Sequence, residues 1–224
     1  MSAGGGVPGL DAATRELRRG LMRLGQRYDA RGWLFGTCGN LSGRDGDRIT
    51  ITASGRHKGE LGEDDFVTVD LGGALVAGPP GGRPSAETSI HLALYEAVAT
   101  ARVIVHVHTV ASSLVRGEAP VDAALQHAAG VVGELRFEGL EMVKGWDLWS
   151  PEARPVMPVF ENHADVPAIA RDVGRYYAAA PREVPALLIA GHGLTAWGAS
   201  LFEANRHLEV AEFLCQVALA NARR

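Results

Sequence analysis

Hydrophobic residues along this chain follow two rhythms, one helical and one extended. From Asp11 to Gly32 the apolar residues Leu17, Leu21, Leu24 and Tyr28 recur at steps of three and four, a stripe on one amphipathic helix that a glycine closes. Between Leu34 and Val76 the rhythm shortens to the β-prone stretches RITITA and DFVTVD. The turn-forming segments GRDGDR, SGRHKGELG and DLGG separate them, and together they predict a strand meander. The linker AGPPGGRPS ends at Ser85, where SAETSIHLALYEAVA resumes a helical stripe through Ile90, Leu94 and Ala97, so a second helix is expected to begin at that serine.

Further along, RVIVHVHTV reads as a strand because of its β-branched residues, and ALLIA as an apolar strand ending at Gly191. A helix is expected near Ala168 to Ala178. Ser200 and Glu203 have the spacing of a capping box, opening a long last helix that buries Leu201, Ala204, Leu208, Ala211 and Cys215. This order lacks the regular βα alternation of a doubly wound sheet, and neither GxGxxG nor GxxxxGK[ST] occurs. The expected fold class is α+β, in layers, with a central mainly antiparallel sheet flanked by helices. One domain over residues 11–224 is expected to follow a flexible, glycine-rich lead-in at 1–10.

Composition narrows the partners. With 224 residues, 46% hydrophobic and 21% charged, the chain is long enough to bury a sizeable core. Lys+Arg of 22 against Asp+Glu of 26 leaves a formal charge of -4, with no block of like charge to suit a phosphate backbone or an anionic bilayer. Nucleic acid and membrane partners are therefore disfavoured. Apolar runs such as Arg102 to Val107 fall far short of the roughly 20 residues of a spanning helix. The start of the chain has no apolar stretch after a basic segment, so a cytoplasmic protein is expected. Its two cysteines, Cys38 and Cys215, form no CxxC pair, which leaves histidine and carboxylate as the groups to hold any metal.

Candidate metal chemistry begins at His106-Val107-His108. Alternate residues of a strand share a face and stand roughly 6.6 Å apart, so both imidazoles can turn toward one ion, while Val103, Val105 and Val107 face the core. An HxH pair alone is equally well read as two polar residues at the rim of a sheet. His192, between Gly191 and Gly193, is a third ligand candidate, because flanking glycines let the backbone turn sharply; alone, it reads as a tight turn. Three neutral imidazoles with an open fourth position are a frequent catalytic zinc arrangement. His57, His91, His127, His163 and His207 are read as structural or solvated.

Three loops offer neutral anion-binding groups: Thr37 to Ser42 with Gly39 and Asn40, Thr52 to Gly55 with Ser54, and Pro84-Ser85 before a helix. Each is also ordinary turn chemistry. Two carboxylates complete the set. Glu87 sits in the first turn of the second helix, where dipole electrostatics alone would explain it. Glu141, in GLEMVKG, has apolar sequence neighbours, and facing a cavity it would be suited to proton transfer.

In this order (GN, SG, PSAE, HxH, GHG before a final helix) the chain resembles the class II aldolase and adducin-like family from about Leu17 to Leu214. The resemblance implies one zinc ion per subunit on His106, His108 and His192. It implies phosphate contacts at Gly39, Asn40, Ser54, Gly55 and Ser85, although Ala86 stands where the family aldolases have a second serine. The strings SAETSIHLALYE, HVHTV, GLEMVKG, ENHADVP and GHGLTAWG are most similar to a dehydratase branch that removes water from a phosphorylated ketose in methionine salvage. In that branch the acid/base is the glutamate matching Glu141, with Glu87 as a helper or an additional ligand. A sugar-phosphate aldolase or epimerase on the same scaffold, or a non-catalytic adducin-like binding module, are the alternatives. The resemblance also implies a homotetramer with active sites at subunit interfaces.

Overall fold

The computed structural model describes residues 11–120 and 130–222. The expected lead-in at 1–10 and His127 lie outside these residues. Helix α1 (Ala12–Ala30) starts where the Asp11 carboxylate accepts the backbone N–H of Thr14 at 2.7 Å, and Gly32, at φ 67°, lets the chain turn away from its end. The meander follows as β1 (Asn40–Asp45), β2 (Arg48–Thr52), β3 (Phe66–Asp70) and the short β4 (Leu75–Ala77). Helix α2 (Thr88–Ala97) leads into β5 (Val103–Val107) and the one-turn helix α3 (Val110–Leu114). Next come β6 (Val131–Arg136), a 3-10 turn over Glu141–Trp146, β7 (Val156–Phe160) and α4 (Val166–Ala179). The described chain closes with β8 (Ala186–Ile189), β9 (Gly193–Gly198) and α5 (Leu201–Asn221).

The strands form one nine-stranded sheet in the order β4-β3-β2-β1-β5-β9-β8-β7-β6. Every neighbouring pair is antiparallel except β7 with β8, as the absence of βα alternation implied. Side-chain alternation along β5 divides the core in two. Val103, Val105 and Val107 pack toward Leu21 and Leu24 of α1 and Leu208, Ala211 and Leu214 of α5. Ile104 points the other way, into a cluster with Ile90, Leu94 and Tyr95 of α2 and Ile169, Val173 and Tyr176 of α4. Two helical layers thus sandwich the sheet. No helix among the described residues is long and apolar enough to cross a membrane.

One boundary and one half of a cap differ from the sequence reading. Helix α2 opens at Thr88 rather than Ser85, because the Ser85 carbonyl accepts both the N–H and the Oγ1–H of Thr88, closing a turn ahead of the helix. Glu87 consequently caps the helix instead of lying in its first turn. At α5, Ser200 accepts the Glu203 N–H at 3.1 Å, but the Glu203 carboxylate takes the N–H of Ala199 rather than that of the cap residue.

Candidate metal centre and anion cleft

The register of the sheet builds the site. In β5, His106 stands opposite Asn40 of β1 on one side and Thr195 of β9 on the other. Strand β5 ends at Val107, so His108 lies one residue beyond it, free to bend back. Its Nε2 comes to 2.9 Å from Nε2 of His106, the convergence expected of the HxH pair. His192 arrives from the β8–β9 turn, which Gly191 makes with φ 64° and a bond from the His192 N–H to the Ile189 carbonyl at 3.1 Å. Gly193 lets β9 close on this point: a Cβ there would fall 2.4 Å from the Val107 carbonyl oxygen.

Glu87, at the α2 cap, completes the group. Its carboxylate accepts a bond from His192 Nε2 at 2.7 Å, lies 3.5 Å from His106 Nε2, and accepts the Asn40 side-chain N–H. Ligand atoms of Glu87, His106, His108 and His192 all lie within 4.8 Å of one another. Bonds of about 2.0–2.1 Å to a tetrahedral zinc ion place ligands roughly 3.4 Å apart, so this cluster fits a divalent ion. The charge states fit as well. Burial pushes His106 down to about 3, against the pull of Glu87, and burial likewise lowers His108, so both rings are neutral donors near pH 7. Burial opposes the charge on Glu87, but the facing His106 and the bond from His192 overcome it and hold this carboxyl well below the usual range. His106 Nδ1 contacts the Thr195 hydroxyl at 2.8 Å, which orients its Nε2 toward the cluster, a support that metal-binding histidines generally need.

Beside the cluster opens a cleft of about 290 Å³ that brings the three anion loops together. Gly39, Asn40, Ser54, Gly55 and Ser85 line it, with Glu87 and His108 at its edge. Asn40 Nδ2 donates to Ser85 Oγ at 3.2 Å, tying one loop to another. Gly39, at φ 74°, permits the close approach: a Cβ would lie 2.7 Å from the carbonyl oxygen of His106.

Glu141 is placed elsewhere. It is exposed, pairs with Lys144 at 2.6 Å, and lines a separate depression with Leu140, Val143 and Trp149 that none of the four clustered residues borders. Among the histidines read as structural, His91 is buried with Nδ1 against Ser42 Oγ at 2.7 Å, and His207 Nδ1 meets the Trp197 carbonyl at 2.6 Å. His57 lies 3.8 Å from Asp29, and His163 lies 3.6 Å from Glu161 and 3.8 Å from Asp172. Sequence reasoning missed two residues of the site. Thr195 carried no signal, since the β5–β9 register is not written in either segment. Lys58 did carry one, a lone lysine between the SG turn and the next glycine, and it lines the anion cleft while 3% exposed.

Residues 19–219 match the family described as Class II Aldolase and Adducin N-terminal domain, and the chain belongs to that family. Among its relatives, the methylthioribulose-1-phosphate dehydratase of Leptospira biflexa is 42% identical over 202 residues, spanning 88% of this chain and 93% of that one. The protein of the same name from Microcystis aeruginosa is 39% identical over 205 residues, spanning 91% and 95%. In fold, the chain is similar to the crystal structure of YgbL from Escherichia coli, with a TM-score of 0.73 at 24% identity over 93% of this chain and 90% of that one.

Proposed function

We propose that this chain is a zinc-dependent hydro-lyase that converts 5-methylthioribulose 1-phosphate to 5-methylthio-2,3-dioxopentyl phosphate and water, a step of methionine salvage in the cytoplasm. One observation carries the reading: an imidazole and carboxylate cluster beside a cleft of anion donors, in a chain similar along nearly its whole length to dehydratases of that name. His106, His108 and His192 would hold the ion, one per subunit. When bound, zinc would supply Lewis acidity to the carbonyl of the ketose, which makes the proton on the adjacent carbon, C3, easier to remove.

The remaining work falls to side chains. Asn40, Ser54 and Ser85, with the backbone at Gly39 and Gly55, seat the phosphate and so fix the sugar's register against the cluster. A base takes the proton from C3, and the C4 hydroxyl leaves as water with a proton supplied by an acid. The net loss is one water, and the enol left behind ketonises to the diketone. Glu87, ionised beside the ligands, serves as the helper that takes the C3 proton or as an additional ligand. Glu141 is the acid/base that protonates the departing hydroxyl. Because Glu141 lies outside the cleft of its own chain, this role requires a second copy to present it, as in a homotetramer with sites at subunit boundaries.

Diketone formation, followed by ultraviolet absorbance with purified protein and the phosphorylated ketose, tests the activity; release of a triose without diketone would instead assign an aldolase. The Glu141 role has its own test. Glu141→Gln should keep its metal and lose turnover, and mixed oligomers of E141Q with His106→Ala should regain activity, since some sites then combine one intact set. Full turnover by E141Q alone would remove Glu141 from the mechanism.

A further inference from the structure

Among the described residues Lys58 is the sole Lys or Arg lining the anion cleft, in a short 3-10 turn (Lys58–Glu60) that packs on α1. That packing is close: a Cβ on Gly25 would fall 2.4 Å from the Lys58 carbonyl oxygen, so the glycine lets the turn seat itself against the helix. The side chain is buried, and its ammonium donates to the Thr37 carbonyl. Among the described residues it forms no ion pair, and burial holds its pKa below the usual lysine value despite the pull of Cys38 and Glu87. Burying an ammonium with a single carbonyl acceptor costs several kcal/mol unless a counter-ion arrives. Two of its three N–H donors have no partner among the described residues, in a cleft already furnished with Gly39, Asn40, Ser54, Gly55 and Ser85.

We propose that Lys58 is a specificity-determining residue that supplies the positive charge of the phosphate subsite, pairing directly with the phosphate dianion of the substrate. The neutral donors set the position of a tetrahedral anion, but they do not offset its charge, and Glu87 at the cleft edge repels it. Lys58 provides that balance and selects phosphorylated over unphosphorylated ketoses. Identification of the ester rests on the function proposed above; the presence of an anion site at Lys58 does not.

The test uses Lys58→Gln, Lys58→Met and Lys58→Arg in the metal-loaded protein, with inorganic phosphate as the probe in isothermal titration and the phosphorylated ketose in steady-state assays. K58Q keeps a donor for the Thr37 carbonyl without the charge, so it separates charge from scaffolding. K58Q and K58M should keep their metal, lose phosphate binding by about 30-fold or more, and raise KM by a similar factor with kcat changed only a few-fold. K58R should recover part of both. Phosphate binding by K58Q equal to that of the unsubstituted protein would overturn the proposal, as would weakened binding that tracks loss of metal. Lys58-dependent phosphate binding in a protein that forms no diketone would keep the anion site and reject the substrate.

Discussion

Replacing Thr195 by valine tests the logic of the cluster without touching a ligand. Thr195 is fully buried on β9 directly across from His106, and valine keeps its shape and its preference for a strand. What disappears is the 2.8 Å contact to His106 Nδ1. An ion on Nε2 requires the ring proton to sit on Nδ1, where the threonine oxygen accepts it. Without that acceptor the loaded state holds a buried, unpaired N–H, whereas the metal-free ring can shift its proton to Nε2 and donate toward Glu87, 3.5 Å away. The cost therefore falls on the loaded state. An unsatisfied buried donor costs about 1–3 kcal/mol, which agrees with the roughly 10–100-fold loss of metal affinity typical when a ligand's hydrogen-bond partner is removed. Competition against a chelator of known affinity reads the effect, with thermal melting of the metal-free protein as a control that should move little. T195V binding zinc within twofold of the unsubstituted protein would refute the argument.

Other perturbations probe the same architecture. His106→Ala should lose bound metal and turnover together, read by metal analysis on the same sample that is assayed; activity in a metal-free H106A would sever the link. Gly39→Ala forces a residue at φ 74° and drives its Cβ against Leu34 and the His106 carbonyl, so beyond the ~1–3 kcal/mol of backbone strain it should loosen the β1–β5 pairing. Its melting temperature and metal affinity should fall together, and an unchanged melt would contradict the packing described. The metal-free fold should also weaken in mild acid. Burial pushes His106 down to about 3 and His91 to about 4, so between pH 6.5 and 5 the unfolded chain binds protons that the native one refuses. Stability present above pH 6.5 is then lost at up to about 1.4 kcal/mol per pH unit for each ring. Urea unfolding midpoints equal at pH 7 and pH 5 would contradict it.

Much of this molecule is legible in its sequence because the relevant signals are local. The stripes of α1, α2 and α5 and the β-branched run of β5 each follow from a period that a few neighbours define. His106, His108 and His192 are legible because HxH and GHG constrain their own backbones. Boundaries were less so: Ser85 looks like a cap, yet its carbonyl spends itself on a turn and leaves that place to Glu87. Glu141 shows the limit from the other side. Its apolar sequence neighbours suggested a sheltered carboxylate, but Val143 and Trp146 take the core-facing positions of a 3-10 turn and leave Glu141 exposed beside Lys144.

Element types, the antiparallel layered plan and the three imidazoles can be read from the residues alone, since period, turn chemistry and glycine placement act over a few residues. That Thr195 supports His106, that Glu87 joins the imidazoles, and that Lys58 is buried beside Ser54 and Ser85 emerge only from the folded chain. These depend on strand register and on helices packed across the sheet, where residues tens of positions apart meet, and no local pattern carries that information.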